Sequence, residues 1–453
     1  KNNLLFFIKL FKKNKKTVSF ILYLNKRDFF MEEYGKILVF VMPIFLILII
    51  IEKIYGHYKG ENTSPNMDSV SSVSSGMVNS VKDVLGLSIT LISYDWIVSK
   101  IAIFNLEATV FTYLIGFIAI DFYGYWSHRL SHQINFLWNK HAIHHSSEEF
   151  NLACALRQPI SSFVNLFTFL LIPAALLGVP AKVIAITLPI HLFLQFWYHT
   201  KHIKKIGFLE NILVSPSHHR VHHAINPEYM DKNHSQIFIF WDKLFGTFQE
   251  ELESVPPVFG ITRSARTWNP IRINFQHLGL LILDAWRTEN WKDKFTIWFK
   301  PTGWRPENFE EKYPVSKITD VYNFEKYGMQ HSKKLMYWSI FQALITLLFI
   351  SYMYNSIAII GLPNVFIYGV FIFLTVYSYT ELMDTSKISV FWESIRFAFG
   401  IGLIFYFGDW FGMNQLFPFA NYVILSYLVL SLLVTIYFVN SIFEKETLLV
   451  AQS

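Results

Sequence analysis

Four tight histidine clusters between residues 128 and 223 constrain this chain more than any other feature. His128 and His132 form HxxxH, and His141, His144 and His145 form HxxHH. His199 and His202 form HxxH, and His219, His222 and His223 form a second HxxHH. On a helix, spacings of three and four residues put side chains on one face, so each cluster is expected to aim its imidazoles at a common target. Neutral imidazole is the commonest metal ligand and suits iron, zinc and copper. One ion takes roughly three to five protein nitrogens or oxygens. Ten histidines are too many for one ion and fit two.

The surroundings of these clusters are those of a membrane protein. Hydrophobic residues make up 53% of the 453 and charged residues only 16%, against about 25% charged in a typical soluble domain. A net charge of +6 does not imply nucleic acid. The basic residues cluster beside apolar runs, as lipid-headgroup contacts or topology determinants do. The single cysteine, Cys154, excludes an intramolecular disulfide and a site built from several thiolates, and reads as a small buried apolar residue. The lack of disulfide cysteines fits a bacterial inner membrane or the endoplasmic reticulum.

Apolar stretches approaching the ~20 residues that cross a bilayer fall near 36–53, 84–104, 108–127, 161–179, 181–199, 335–354, 356–379, 391–411 and 419–440, some of them candidates for re-entrant hairpins. The expected fold is all-α: a polytopic membrane helical bundle with a cytosolic-facing, histidine-rich cap for two metals. Residues 1–30 read as an N-terminal extension of doubtful status, because Met31 begins a stretch resembling a natural start. Residues 31–80 read as a first span and a polar, Ser-rich loop, and 81–270 as the catalytic domain. Residues 271–334, with Trp286, Trp291, Trp298 and Trp304 among Arg287, Lys292, Lys294 and Lys300, read as an amphipathic interfacial region. Residues 335–453 read as a C-terminal transmembrane module. Basic residues in 200–334 place that portion, and the site, on the cytoplasmic side.

Around the clusters, Asp121 lies on the helical face of Tyr125, His128 and His132. It is expected to orient a ligand imidazole through its second N–H. His218 is the extra residue beside the fourth box, expected behind the ligands or against substrate. Glu148, Glu149, Asn151 and Arg157 follow the second box as candidates for proton delivery or headgroup binding, with a solvated polar stretch as the plain alternative. His234 is a candidate pocket residue. His57, His191, His277 and His331 stand alone and read as structural or solvated. No Walker A loop, GxGxxG, GxSxG or HExxH appears, and no appended haem or flavin domain is evident, so reductant must come from outside the chain.

The segments Trp126–His132, His144–Leu152, Ala155–Gln158, Ser217–His223, Asn226-Pro227, Asp231–Asn233 and Trp241–Phe248 resemble the membrane fatty acid hydroxylase / sterol desaturase superfamily over roughly 80–255. Through Phe259-Gly260 and Trp268–Pro270 the similarity extends toward that superfamily's ether-lipid-cleaving branch. The resemblance implies a non-haem diiron centre with two Fe2+ ions that inserts oxygen from O2 into a lipid C–H bond. A separate electron donor would be tetrahydrobiopterin, used by animal members of that branch, or another external reductant. Carried over residue by residue, it implies His128, His132, His141, His144, His145, His219, His222 and His223 as ligands, with His199 and His202 matching less securely. His234 stands where an aromatic is expected, which leaves the pocket and the lipid open. Desaturation or acyl hydroxylation by the same centre is the nearest alternative. A metal-binding membrane protein without turnover is a reading of a different class. A transporter is disfavoured because most histidines lie at helix ends rather than mid-bilayer.

Overall fold

The computed structural model describes residues 15–90, 92–328 and 332–452, with side chains described for 31–88, 92–328 and 332–441. It is mostly helical, with one two-stranded parallel pair, Ile89–Thr90 with Val164–Asn165. The chain divides into two compact units. One comprises the N-terminal residues to Ile47, Ser80–Leu87 and Leu344 onward; the other comprises Leu48–Asn79 and Ser88–Ala343.

Among the described residues, five helices have the length and composition to cross a membrane: Met31–Tyr58, Lys333–Asn355, Asn364–Met383, Ser389–Phe407 and Ala420–Ser441. They coincide with the stretches 36–53, 335–354, 356–379, 391–411 and 419–440. The first continues a helix that starts at Lys15, so part of the supposed 1–30 extension is helical backbone, while residues 1–14 and His331 lie outside the described residues. Arg396 and Glu393, at i and i+3, form a buried ion pair, and Arg396 also donates to the Tyr427 hydroxyl at 3.0 Å. An unpaired charge there would be costly.

Of the other four stretches, three hold no helix long enough to cross a bilayer. Residues 84–104 hold a two-residue strand and the eight-residue helix Tyr94–Ile101; 161–179 hold the short turn Thr168–Leu171 and the helix Ile172–Leu176. The helix within 181–199 is Ala181–Phe193, 13 residues, or about 20 Å at 1.5 Å per residue, short of the ~30 Å hydrocarbon layer. The stretch 108–127 opens the 24-residue helix Val110–Gln133, whose last turns carry polar ligands. These segments pack in part on one another, while Val110, Phe111, Leu114, Ile118, Ile190 and Leu192 stay exposed. Tyr94, Ile97, Ile120, Leu171, Ala175 and Val183 share one buried cluster. Hydropathy cannot tell such a core from a lipid-facing surface.

The Ser-rich stretch expected as a loop is instead the helix Asn66–Val84. Ser71, Ser72, Ser74 and Ser75 are buried. Ser74 returns its hydroxyl to the Val70 carbonyl one turn back, at 2.5 Å. Such back-bonding satisfies a buried hydroxyl inside a helix.

Candidate metal centre

The second unit gathers nine of the ten box histidines into two adjacent groups. The first holds His128, His132, His141, His145 and His222; the second holds His144, His199, His219 and His223. Each HxxHH box is split between them, while His128 and His132 both stand in the first group. In the helix Asn135–His145, His141 and His145 are one turn apart and face the first group, while His144 faces the second. In the helix Pro216–His223 the roles reverse: His219 and His223 face the second group and His222 the first. Adjacent helical residues point about 100° apart, so an HxxHH box on one helix feeds two centres. For the two HxxHH boxes the expectation of one common target is thereby corrected; for HxxxH it holds.

Within each group the Nε2 atoms converge. His141 Nε2 stands 2.9 Å from that of His128 and 3.0 Å from that of His145, which is 3.1 Å from that of His222. In the second group, His219 and His199 are 2.9 Å apart, His223 and His219 3.0 Å, and His223 and His144 3.1 Å. Two nitrogens bound cis to one ion at roughly 2.1 Å would stand ~3.0 Å apart.

The opposite ring nitrogens determine what these contacts are. His128 Nδ1 meets the His234 carbonyl at 2.7 Å and His222 Nδ1 the Lys232 carbonyl at 3.0 Å. His199 Nδ1 meets the Gln195 carbonyl at 3.0 Å and His144 Nδ1 the Arg157 carbonyl at 3.3 Å. A carbonyl only accepts, so each Nδ1 carries the proton and each Nε2 presents a lone pair. Converging lone pairs repel unless a cation stands between them. Burial lowers every one of these imidazole pKa values, to about 4 at His128 and about 3 at His199. At His132, His141, His145, His219 and His223 burial is joined by repulsion from neighbouring imidazoles. The groups are therefore neutral, ligating imidazoles at ordinary pH, and the donor set fits two metal ions.

The turn Asp231–Ser235 supports the first group. Besides the Lys232 and His234 carbonyls, it brings the Asp231 carboxylate to 3.4 Å from His132 Nδ1, leaving His132 Nε2 as a buried atom without a hydrogen-bond partner. Asp231 and Asn233 adopt φ of 55° and 53°, a left-handed conformation that Asp and Asn tolerate best among residues with a side chain. Asp242 holds the turn by accepting from the His234 and Ser235 amides at 2.8 and 2.9 Å. The short motif Asp231-Lys-Asn233 was the only sequence signal for this support.

Other expected site residues have other partners. His202 joins neither group; its Nε2 meets the Thr63 hydroxyl at 3.0 Å. Asp121 touches no ligand imidazole. It accepts from His191 Nε2 at 2.8 Å, from the Ile237 and Phe238 amides, and from Trp241 Nε1. His218 Nδ1 caps its own helix by accepting from the Ser215 amide at 3.3 Å. Asn151 donates to the Thr63 carbonyl, and Glu148 accepts from Ser264 and the Tyr327 amide. Glu149 pairs with Lys201 and Lys326. The Arg157 guanidinium is buried against Asp68 at 2.7 Å, while its carbonyl holds His144.

A cavity of about 300 Å³ opens on the first group, lined by His132, His145 and His222 and by apolar side chains including Trp138, Ile273 and Leu280. Ile273, His277, Leu280 and Leu281 recur at helical spacing along Pro270–Arg287, so one face of that helix forms a cavity wall. His277, read from the sequence as structural or solvated, lines it too.

Residues 113–247 match the fatty acid hydroxylase family model. Human alkylglycerol monooxygenase is 33% identical over 78% of this chain and 79% of its own length. The zebrafish (Danio rerio) alkylglycerol monooxygenase is 35% identical over 60% of this chain and 61% of its own. The ornithine lipid hydroxylase OlsE of Rhizobium tropici is 28% identical over 34% of this chain and 46% of its own. No solved structure matches the chain.

Proposed function

The chain belongs to the fatty acid hydroxylase family, among its alkylglycerol monooxygenase relatives, and on that premise we propose that it is a membrane-bound diiron monooxygenase hydroxylating an ether lipid with O2. One observation carries the reading. Nine imidazoles, seven of them buried and two half-buried, present converging Nε2 lone pairs in two adjacent groups, beside a largely apolar cavity.

When bound, two ferrous ions supply the activation of O2; one oxygen atom enters the lipid, the other leaves as water, and an external reductant such as tetrahydrobiopterin provides two electrons. The chain's own residues do the rest. Nδ1–H bonds to the Arg157, Gln195, Lys232 and His234 carbonyls hold the ligand rings in one tautomer. Trp138, Ile273 and Leu280 give an alkyl chain an apolar wall next to His145 and His222 and keep water from it. Hydroxylation beside an ether oxygen gives a hemiacetal, which collapses to an aldehyde and an alcohol.

The lipid enters from the membrane surface. Trp286, Trp291, Phe295 and Phe299 are 83, 70, 67 and 76% exposed, among Arg287, Lys292 and Lys294. Aromatic side chains interleaved with basic ones suit the headgroup zone, and Trp286 and Arg287 end the helix Pro270–Arg287 that lines the cavity. The basic excess of 200–334 puts this face in the cytoplasm.

The test is iron analysis and Mössbauer spectroscopy on protein purified anaerobically, then labelled O2 with an alkylglycerol and a tetrahydropterin. About two coupled irons per chain and label in the product are expected. A product that has lost two hydrogens without gaining oxygen would favour a desaturase. One tightly held zinc and no iron after iron-replete growth would sink the mechanism.

A further inference from the structure

Three basic side chains, Arg263, Arg305 and Lys317, line the cavity beside the first histidine group. Two of them are neutralised. Arg305 makes a bidentate pair with Asp284, through Nε at 2.6 Å and Nη2 at 3.0 Å, so both carboxylate oxygens are used. Lys317 pairs with Glu310 at 2.7 Å, and the same carboxylate stands 3.7 Å from Arg305 Nη1. The acidic lining residue, Asp231, is turned to His132.

Arg263 is left over. Among the described residues it has no carboxylate partner, and its Nη1 is a buried atom with no hydrogen-bond partner. Burial and the like charge of Arg305 disfavour its charged form and outweigh the attraction of the Asp284 carboxylate, which is already paired with Arg305. Its placement is fixed, because the Val258 carbonyl, five residues earlier, accepts from the Ile225 amide at 2.8 Å, just after His223. The Ile318 amide also donates to the Thr262 carbonyl next to it, at 2.8 Å. A buried guanidinium donor without a partner costs free energy that a bound acceptor recovers. A planar guanidinium pairs best with phosphate or carboxylate oxygens.

We propose that Arg263 is the head-group subsite of this cavity and selects a lipid with an anionic, phosphate-type head over a neutral glycerol head. This rests on the reading of the cavity as the lipid site. It goes further in naming the class of head group and the residue that selects it. The same chemistry would hold free phosphate, so the test separates the two sources.

Full-length, iron-loaded protein in detergent is titrated calorimetrically with 1-O-octylglycerol, its 3-phosphate, and inorganic phosphate. The octyl phosphate is expected to bind roughly tenfold tighter than the octylglycerol, about 1.4 kcal/mol, with inorganic phosphate much weaker than either. R263Q is expected to erase the preference, and R263K to keep part of it, since a lysine retains the charge but not the fork. Equal affinities in the wild type, or a preference surviving in R263Q, would overturn the proposal. So would inorganic phosphate binding as tightly as the octyl phosphate. Should R263Q fail to fold, R263K and the wild-type comparison still decide. Binding is read without turnover, so a protein that binds the phosphate lipid but makes no O2-dependent product would contradict the oxygenase reading and leave this one standing.

Discussion

His144 and His145 are neighbours in the chain, yet their Nε2 atoms belong to different groups, and His222 and His223 repeat the division. The sequence announces the ligand type through HxxHH but not the partition, because partition depends on where facing helices stand and not on spacing. The same limit explains His202. HxxH at the end of an apolar segment gives His199 and His202 equal claims, and only the fold turns one to His219 and the other to Thr63. A sharp difference between two substitutions follows. His223→Ala removes one of four ligands from the second group, and its iron should fall from about two to about one per chain. His202→Ala should leave iron content unchanged. Elemental analysis of the two purified variants checks this, and loss of iron in H202A would show that the ring moves into the site.

At the level of elements, the helix Asn66–Val84 supports the second box from behind. Asp68 receives Arg157 Nη2 at 2.7 Å and the Ser147 hydroxyl at 2.9 Å, and Arg157 also donates to Ser146 and Ser72. Ser146 and Ser147 directly follow His145, and the Arg157 carbonyl holds His144. The sequence showed Arg157 as a polar residue after a box but hid its partner, because a serine-rich stretch reads as solvent-exposed unless its hydroxyls bond back onto the helix. Arg157→Ala would strand the buried Asp68 charge, at a cost of about 3–5 kcal/mol. A fall in melting temperature clearly larger than that of the double variant Arg157→Ala/Asp68→Asn, which strands neither charge, is the expected result. Equal melting curves for R157A and wild type would refute it.

The hinge between the short helices Ile172–Leu176 and Ala181–Phe193 is set as tightly. Gly178 has φ of +76°, and a Cβ there would lie 1.8 Å from the Phe104 carbonyl oxygen, a backbone atom. No residue with a side chain fits there. Gly178→Ala combines a left-handed strain with a clash, so a loss of more than about 2 kcal/mol is expected, read by thermal unfolding in detergent.

For the molecule as a whole, composition announced a helical membrane protein, and the five long apolar helices were legible by length alone. The catalytic unit was harder to read, because several of its apolar stretches fold into short helices that share a protein core. What ties that unit together is also not apolar. The ligands come from Val110–Gln133, Asn135–His145, the segment at His199 and Pro216–His223, so each ion would cross-link elements distant in sequence. A ligand that binds only the folded state stabilises it by RT ln(1 + [L]/Kd), about 4 kcal/mol at a thousandfold excess over Kd. Stripping the metal removes that term and leaves nine lone pairs facing one another in two buried groups. Hydrogen exchange with and without chelator should therefore show protection lost at 128–145 and 199–223. The helices Asn364–Met383 and Ser389–Phe407, which carry no box histidine, should exchange alike in both states. Protection unchanged at the boxes would mean that packing alone holds the ligands in place, and that metal binds a site already formed.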